Sequence, residues 1–293
     1  MGAAPPARVL VSEELLEVAI EAAKCGGALL AERVRHGAER EVSSKSTPTD
    51  LVSEADLASE RAIRELLAVR RPHDGFVGEE GDHIEGTSGL SWVVDPLDGT
   101  VNFLFGLPQW CVSVAVRDAR GTILAGAIYD PSREQLFSAV RGAPATLATG
   151  PAGTADLADA GSTPTGSRGA IELGDAHALR PRASDLASAM VATGFAYDAR
   201  VRAAQAEVLV RVIPRVRDIR RFGSAALDLA WTAAGRYDAY FERTVKQWDI
   251  AAGTLLCEAV GLQVVELPEH KDLPWGILVA PPALCGPLLE LVG

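Results

Sequence analysis

The stretch WVVDPLDGTVNF, residues 92–103, decides how the chain is read. An apolar run (Trp92, Val93, Val94) leads into Asp95, and Asp98 follows three residues later, then Gly99, Thr100 and Asn102. Such a run bounded by turn residues is the pattern of a buried strand. Ending it on two carboxylates is costly unless something compensates the charge. The choice lies between an ordinary Asp-Gly surface turn and a device for holding cations.

Two further acidic stations bear on that choice. Glu79 and Glu80 close the short apolar run at 75–78, and Asp249 precedes the apolar segment IAAGTLLCEAV. Each has a plain reading: solvated loop charges for the glutamates, a helix N-cap for Asp249, a tight turn for Asp98-Gly99. Together they point elsewhere, because converging carboxylates repel one another and raise their own proton affinity. Lys24 and Lys45 are the only lysines in the first hundred residues, too little charge to neutralise such a cluster. Hard divalent cations such as Mg²⁺ would do so, since they take oxygen ligands and keep waters or phosphate oxygens in their shell. A helix starting near Gly99 would place free N–H groups beside those cations, and Gly99 would let a phosphate approach the backbone closely.

The rest of the chain sets bounds. Its 293 residues carry 39 acidic and 28 basic side chains, a formal charge of -11, which argues against direct, charge-driven nucleic-acid binding. The four cysteines are far apart and read as buried thiols rather than disulfides or zinc ligands. The N-terminal MGAAPP has no basic n-region and no myristoylation pattern, and no uncharged run is long enough to span a membrane, so a cytoplasmic protein is expected.

Helices are predicted at 12–35 and 53–70, strands at 75–78 and 91–94, and a hairpin from 110–117 and 122–129 around Gly121. Residues 145–169 are rich in Gly, Ala, Ser and Thr and read as a flexible excursion. That break divides the chain into an α+β metal-binding half, 1–142, and an α/β substrate half, 143–293. In the second half, helices are predicted at 183–191, 201–212, 224–234 and 249–260. Strands are predicted at 216–220, 237–242, 262–267 and 276–280.

With these motifs in order, the sequence resembles the inositol monophosphatase family of Mg²⁺-dependent, lithium-sensitive phosphatases. The similar segments are Lys45 with PTDLVSEAD at 48–56, GEE at 78–80, DPLDGTVNF at 95–103, GSAALDL at 223–229, DAYFE at 238–242 and WDIAAG at 248–253. The resemblance spans about residues 12–265. It implies a five-layer α-β-α-β-α sandwich, normally a homodimer, holding two or three Mg²⁺ per subunit. By the same resemblance Glu79, Asp95, Asp98, Asp249 and the Leu97 carbonyl are metal ligands, with Lys45 at the rim of the metal loop. Thr100, its partner Asp56, and Glu79 serve a metal-activated water. The Gly99 and Thr100 amides hold phosphate, and Ala225, Glu242 and Asp249 line the pocket for the alcohol. Inositol-1-phosphate is the implied substrate. Histidinol phosphate, fructose-1,6-bisphosphate and adenosine 3′,5′-bisphosphate are alternatives, as is a role as a transcription-complex binding factor on the same fold.

One departure from the pattern is Arg243-Thr244 after Glu242, where relatives carry a glycine-containing turn. Arg243 reads either as a solvated surface arginine or as a holder for a second phosphate. A haloacid-dehalogenase-like phosphatase is disfavoured, because its two aspartates stand two residues apart near the chain start. There is no GxxxxGK[ST], GxGxxG, HExxH or GxSxG motif, and the five histidines are scattered.

Overall fold

The computed structural model describes residues 7–36, 42–44, 51–81, 83–150, 170–173 and 182–293. In chain order the first half runs α1 (Ala7–His36), β1 (Val42–Ser44), β2 (Leu51–Ser53), α2 (Glu54–Arg70), β3 (Gly75–Gly78), β4 (Leu90–Asp98) and α3 (Thr100–Leu104). It continues with β5 (Cys111–Asp118), β6 (Ile123–Asp130), β7 (Gln135–Val140), β8 (Thr146–Thr149) and β9 (Ala170–Glu172). The second half runs β10 (Met190–Thr193), α4 (Ala199–Val212), β11 (Asp218–Arg220), α5 (Ala225–Ala233), β12 (Ala239–Arg243), α6 (Gln247–Ala259), β13 (Gln263–Leu267), β14 (Gly276–Ala280) and α7 (Pro282–Val292).

Strands β3 to β9 form a seven-stranded sheet in sequence order, antiparallel except for the β3–β4 pair. A second, five-stranded sheet has the order β11-β10-β12-β14-β13, with parallel and antiparallel pairs mixed. Three apolar cores join these sheets to helices. Leu15, Val18, Ala19, Ala22 and Ala23 recur at helical spacing on α1 and pack with Ile63 and Leu67 of α2 on one face of the first sheet. The opposite face, with Val93, Ala115 and Phe137, meets Leu227, Ala230, Ala252 and Leu256 of α5 and α6. Those helices also meet the second sheet, whose far face packs Val191, Ala239 and Leu278 against Val208, Val212, Leu284 and Leu288 of α4 and α7. Helix pair, sheet, helix pair, sheet, helix pair is the expected five-layer arrangement. A chain that buries both faces of two sheets needs three helix layers to cover them.

Several local expectations are corrected. The strand expected at 91–94 continues to Asp98, because β5 supplies partners along its whole length: Asp95 pairs with Ser113 and Asp98 with Cys111. Residues 145–149 are not part of an excursion. Ala145 is buried, and β8 pairs with β7 from Gln135↔Thr149 to Ser138↔Thr146. Residues 151–169 of the expected excursion, and Lys45 with residues 48–50 of the early motif, lie outside the described residues.

The helix expected at 183–191 is a single 3₁₀ turn, Leu186–Ser188, followed by strand β10. Asp185 accepts from Ser188 N–H at 3.0 Å, and Asp238 accepts from the N–H groups of Ala183 and Met190 at 2.8 Å each, which draws the chain out into the sheet. Strand β7 and helix α7 were not anticipated; Pro282, Gly286 and Pro287 disguise the latter in the sequence.

Candidate active site

Strand β4 carries the centre of the site. On a regular strand, residues three apart face opposite sides. Here the register shifts between Asp95↔Ser113 and Asp98↔Cys111, so three steps on β4 match two on β5. This one-residue bulge, at the Pro96-Leu97 step, returns Asp98 to the side that Asp95 faces. Gly99 then turns the chain with φ 94°, a left-handed conformation that suits glycine, and α3 begins at Thr100.

Carboxylate oxygens of Glu79, Asp95 and Asp249 lie within 4.8 Å of one another. They arrive from the end of β3, from β4 and from the first turn of α6. Asp249 is not the N-cap. It occupies the third helical position, where its Oδ2 accepts from the Lys246 N–H at 2.7 Å, and Lys246 is the cap residue. Glu60 on α2 is buried and accepts from the Glu80 N–H at 2.8 Å, which anchors the loop presenting Glu79.

Burial, then Glu79, Asp98 and Asp249, push the Asp95 carboxyl well above the ordinary range, and burial followed by Glu79 does the same to Asp249. Neither Asp95 nor Asp249 has a lysine or arginine ion-pair partner among the described residues. An all-oxygen donor set this close fits a hard divalent cation.

Asp98 stands apart from this trio. Its Oδ2 accepts from Ser224 Oγ at 2.6 Å and from Ala226 N–H at 2.7 Å, and its Oδ1 accepts from Ala225 N–H at 3.2 Å. Ser224 is the N-cap residue of α5 but makes no cap bond of its own; Asp98 caps that helix from another layer. Burial raises the Asp98 pKa to about 6, a rise limited by the bonds from Ser224 and Ala226. Asn102 adds a second tie, donating to the Gln109, Phe222 and Gly223 carbonyls at 2.7, 2.7 and 3.2 Å.

Thr100 Oγ1 donates to Asp56 Oδ1 at 2.8 Å and lies 3.1 Å from the Leu97 carbonyl oxygen. Asp56 is fully buried, so the hydroxyl is held in a fixed orientation with its oxygen lone pairs available to a further donor.

Ala225 opens α5 with its N–H on Asp98, and Glu242 comes from β12 of the second sheet. Tyr240 Oη donates to Glu242 Oε2 at 2.9 Å, and burial lifts the Glu242 carboxyl to about 7 against the opposing pull of Tyr240 and Arg221. Two features here escaped the sequence reading. Tyr240 shares a strand face with Glu242, a period-two signal that could have been used. Asp228 has both carboxylate oxygens buried with no hydrogen-bond partner among the described residues, and burial, then Glu242 and Asp98, drive its pKa well upward. No local pattern marks that aspartate as buried.

Arg243 is neither solvated nor a phosphate holder. It is buried, and its guanidinium donates to the carbonyls of Leu267 (3.2 Å), Pro268 (2.7 Å), Pro274 (3.0 Å) and Val292 (2.9 Å). It joins the end of α7 to the β13–β14 connection. Cys111, Cys257 and Cys285 are buried and Cys25 half-buried, all as free thiols. No helix among the described residues is long and apolar enough to cross a membrane.

The profile of the Inositol monophosphatase family matches residues 11–288. The inositol-1-monophosphatase of Mycobacterium bovis is 39% identical over 255 residues, 85% of this chain and 80% of the relative. The Nus factor SuhB of Pasteurella multocida is 37% identical over 269 residues, 91% of this chain and 90% of the relative. Among solved structures, the extragenic suppressor protein suhB of Bartonella henselae aligns with a TM-score of 0.77 and 31% identity, covering 97% of this chain and 98% of that one.

Proposed function

This chain belongs to the inositol monophosphatase family and is a phosphatase of that superfamily; from that premise we propose that it hydrolyses inositol-1-phosphate to inositol and phosphate with bound Mg²⁺. The observation that carries the proposal is the meeting of Glu79, Asp95 and Asp249 within 4.8 Å, beside the Thr100–Asp56 pair and the Gly99 turn.

In this reading Glu79, Asp95, Asp249, the Leu97 carbonyl and Asp98 Oδ1 hold two or three Mg²⁺. Bound Mg²⁺ supplies charge neutralisation for the carboxylates, a lowered pKa for water and stabilisation of the leaving alkoxide. The chain supplies the rest. The Gly99 and Thr100 N–H groups at the start of α3 bind phosphate oxygens. Thr100 Oγ1, its own proton committed to Asp56, accepts a hydrogen bond from the attacking water and aims a lone pair at phosphorus. Glu79 is the second acceptor for that water and takes up its proton. Ala225, Glu242 and Asp249 line the pocket for the alcohol, and Glu242 accepts hydrogen bonds from a polyol. Lithium sensitivity and a homodimer follow from the same family reading.

Phosphate release from inositol-1-phosphate, histidinol phosphate, fructose-1,6-bisphosphate and adenosine 3′,5′-bisphosphate, with and without Mg²⁺, tests the proposal. Preference for any of the other three, or release that survives chelation, sinks it.

A second reading has one observation behind it: a 37% identical relative is named as a Nus factor. In that reading the chain joins a transcription complex through protein contacts. A pull-down that succeeds in chelator, from a protein with no phosphate release, would favour it.

A further inference from the structure

The Glu242 carboxylate sits in a closely shaped seat. Tyr240 holds Oε2 from its own strand. Behind it stands Gly194, the residue that follows β10. A Cβ placed on Gly194 would lie 2.0 Å from Glu242 Oε1 and 2.1 Å from its Cδ and Oε2, and these three carboxylate atoms are its nearest neighbours. No methyl group can stand that close. The backbone gives no other reason for glycine here, because Gly194 does not adopt the positive φ that strains other residues.

The wall is also prevented from moving. Gln205 on α4 is buried, and it grips the loop at two points. Its Oε1 accepts from Ala196 N–H at 2.9 Å, and its Nε2 donates to the Gly194 carbonyl at 3.4 Å. A buried amide that satisfies backbone groups on both sides of a short loop fixes the path of that loop.

We propose that Gly194, held by Gln205, is the wall that sets the position of the Glu242 carboxylate and thereby the choice of alcohol in the substrate. The proposal rests on the reading of Glu242 as the group that meets a polyol. Gly194 and Gln205 are positioning residues; neither touches the reacting atoms. Alanine at 194 fits the backbone, but its methyl displaces the carboxylate by more than about 1 Å. Polyol hydroxyls aligned with the native carboxylate then lose their partner. Gln205→Leu removes both grips and acts in the same direction.

The test is a double-mutant cycle of Gly194→Ala and Glu242→Ala, read on inositol-1-phosphate and on p-nitrophenyl phosphate, an ester without a polyol. Gly194→Ala should raise KM for the polyol ester about 10-fold and reduce its kcat/KM several-fold more than that of the aryl ester. In the Glu242→Ala background it should add less than about 2-fold. Full additivity, or equal loss on both esters, overturns the proposal. A crystal structure of the Gly194→Ala protein judges it without any activity: the loop in place and Glu242 displaced is expected, the loop shifted and Glu242 unmoved overturns it. If the wild type turns over another polyol phosphate instead, the substrate reading fails, while the same cycle on that ester still decides the role of Gly194.

Discussion

Asp98 and Ser224 are joined by a 2.6 Å hydrogen bond across 126 residues of chain, and with it the last residue of β4 caps α5. Sheet and central helix layer are therefore locked together at the site. Ser224→Ala should cost about 1–2 kcal/mol in denaturant unfolding, the price of one charged hydrogen bond while Ala226 N–H keeps Asp98 partly satisfied. An unchanged midpoint would show that this bond does not contribute.

Asp95→Asn should abolish phosphate release on every substrate, since it removes one of the three carboxylates that meet at the site. In chelator the same change should raise the melting temperature, because it removes a buried charge that Glu79, Asp98 and Asp249 all oppose. Paired melting curves and phosphate assays check both halves; an active variant would defeat the metal assignment.

Thr100→Val keeps the shape of the side chain and removes the hydroxyl that Asp56 orients. We expect kcat to fall roughly 100-fold with little change in KM, as for loss of a group that orients or deprotonates the nucleophile. A fall in KM-limited binding alone would assign Thr100 to phosphate contact only.

The metal-free protein should lose stability as pH rises. Asp98 and Glu242 have folded pKa values of about 6 and about 7, above their unfolded values of 3.8 and 4.5. The folded state therefore binds more protons between those limits, and stability declines from about pH 4 up to pH 7, by roughly 3 kcal/mol per group. Unfolding in chelator at pH 4.5 and 7.5 measures this. Adding Mg²⁺ should restore stability chiefly at the higher pH, where the carboxylates are ionised.

Arg243→Met should cost about 2–4 kcal/mol, since four carbonyl groups lose their donor in a buried setting. It should leave the preference between mono- and bisphosphate substrates as it was. A selective loss on fructose-1,6-bisphosphate would show instead that Arg243 meets a phosphate.

Much of the fold was legible because its signals are local. Helix α1 shows apolar residues at helical spacing, and the strand at 276–280 has the same bounds in the sequence pattern and in the structure. The segment 183–191 misled because its fate lies with Asp238, some fifty residues away, whose carboxylate takes the N–H groups that a helix would have used. Residues 145–149 misled for a similar reason: their composition is poor in apolar mass, and the neighbouring strand β7 supplies the pairing.

At the site the sequence by itself determined the residue types and the order in which they come: Glu79, then Asp95 and Asp98 ahead of Gly99 and Thr100, then Asp249. Their chemistry, hard oxygen donors beside a turn that frees backbone N–H groups, follows from identity and spacing alone. Only the tertiary structure decided how each is used. The bulge in β4 turns Asp98 towards α5, Arg243 goes to four carbonyls in the interior, and Gly194 backs Glu242. These outcomes depend on atoms brought within 4 Å from distant parts of the chain, and hydrogen bonds and steric contacts act only at such range.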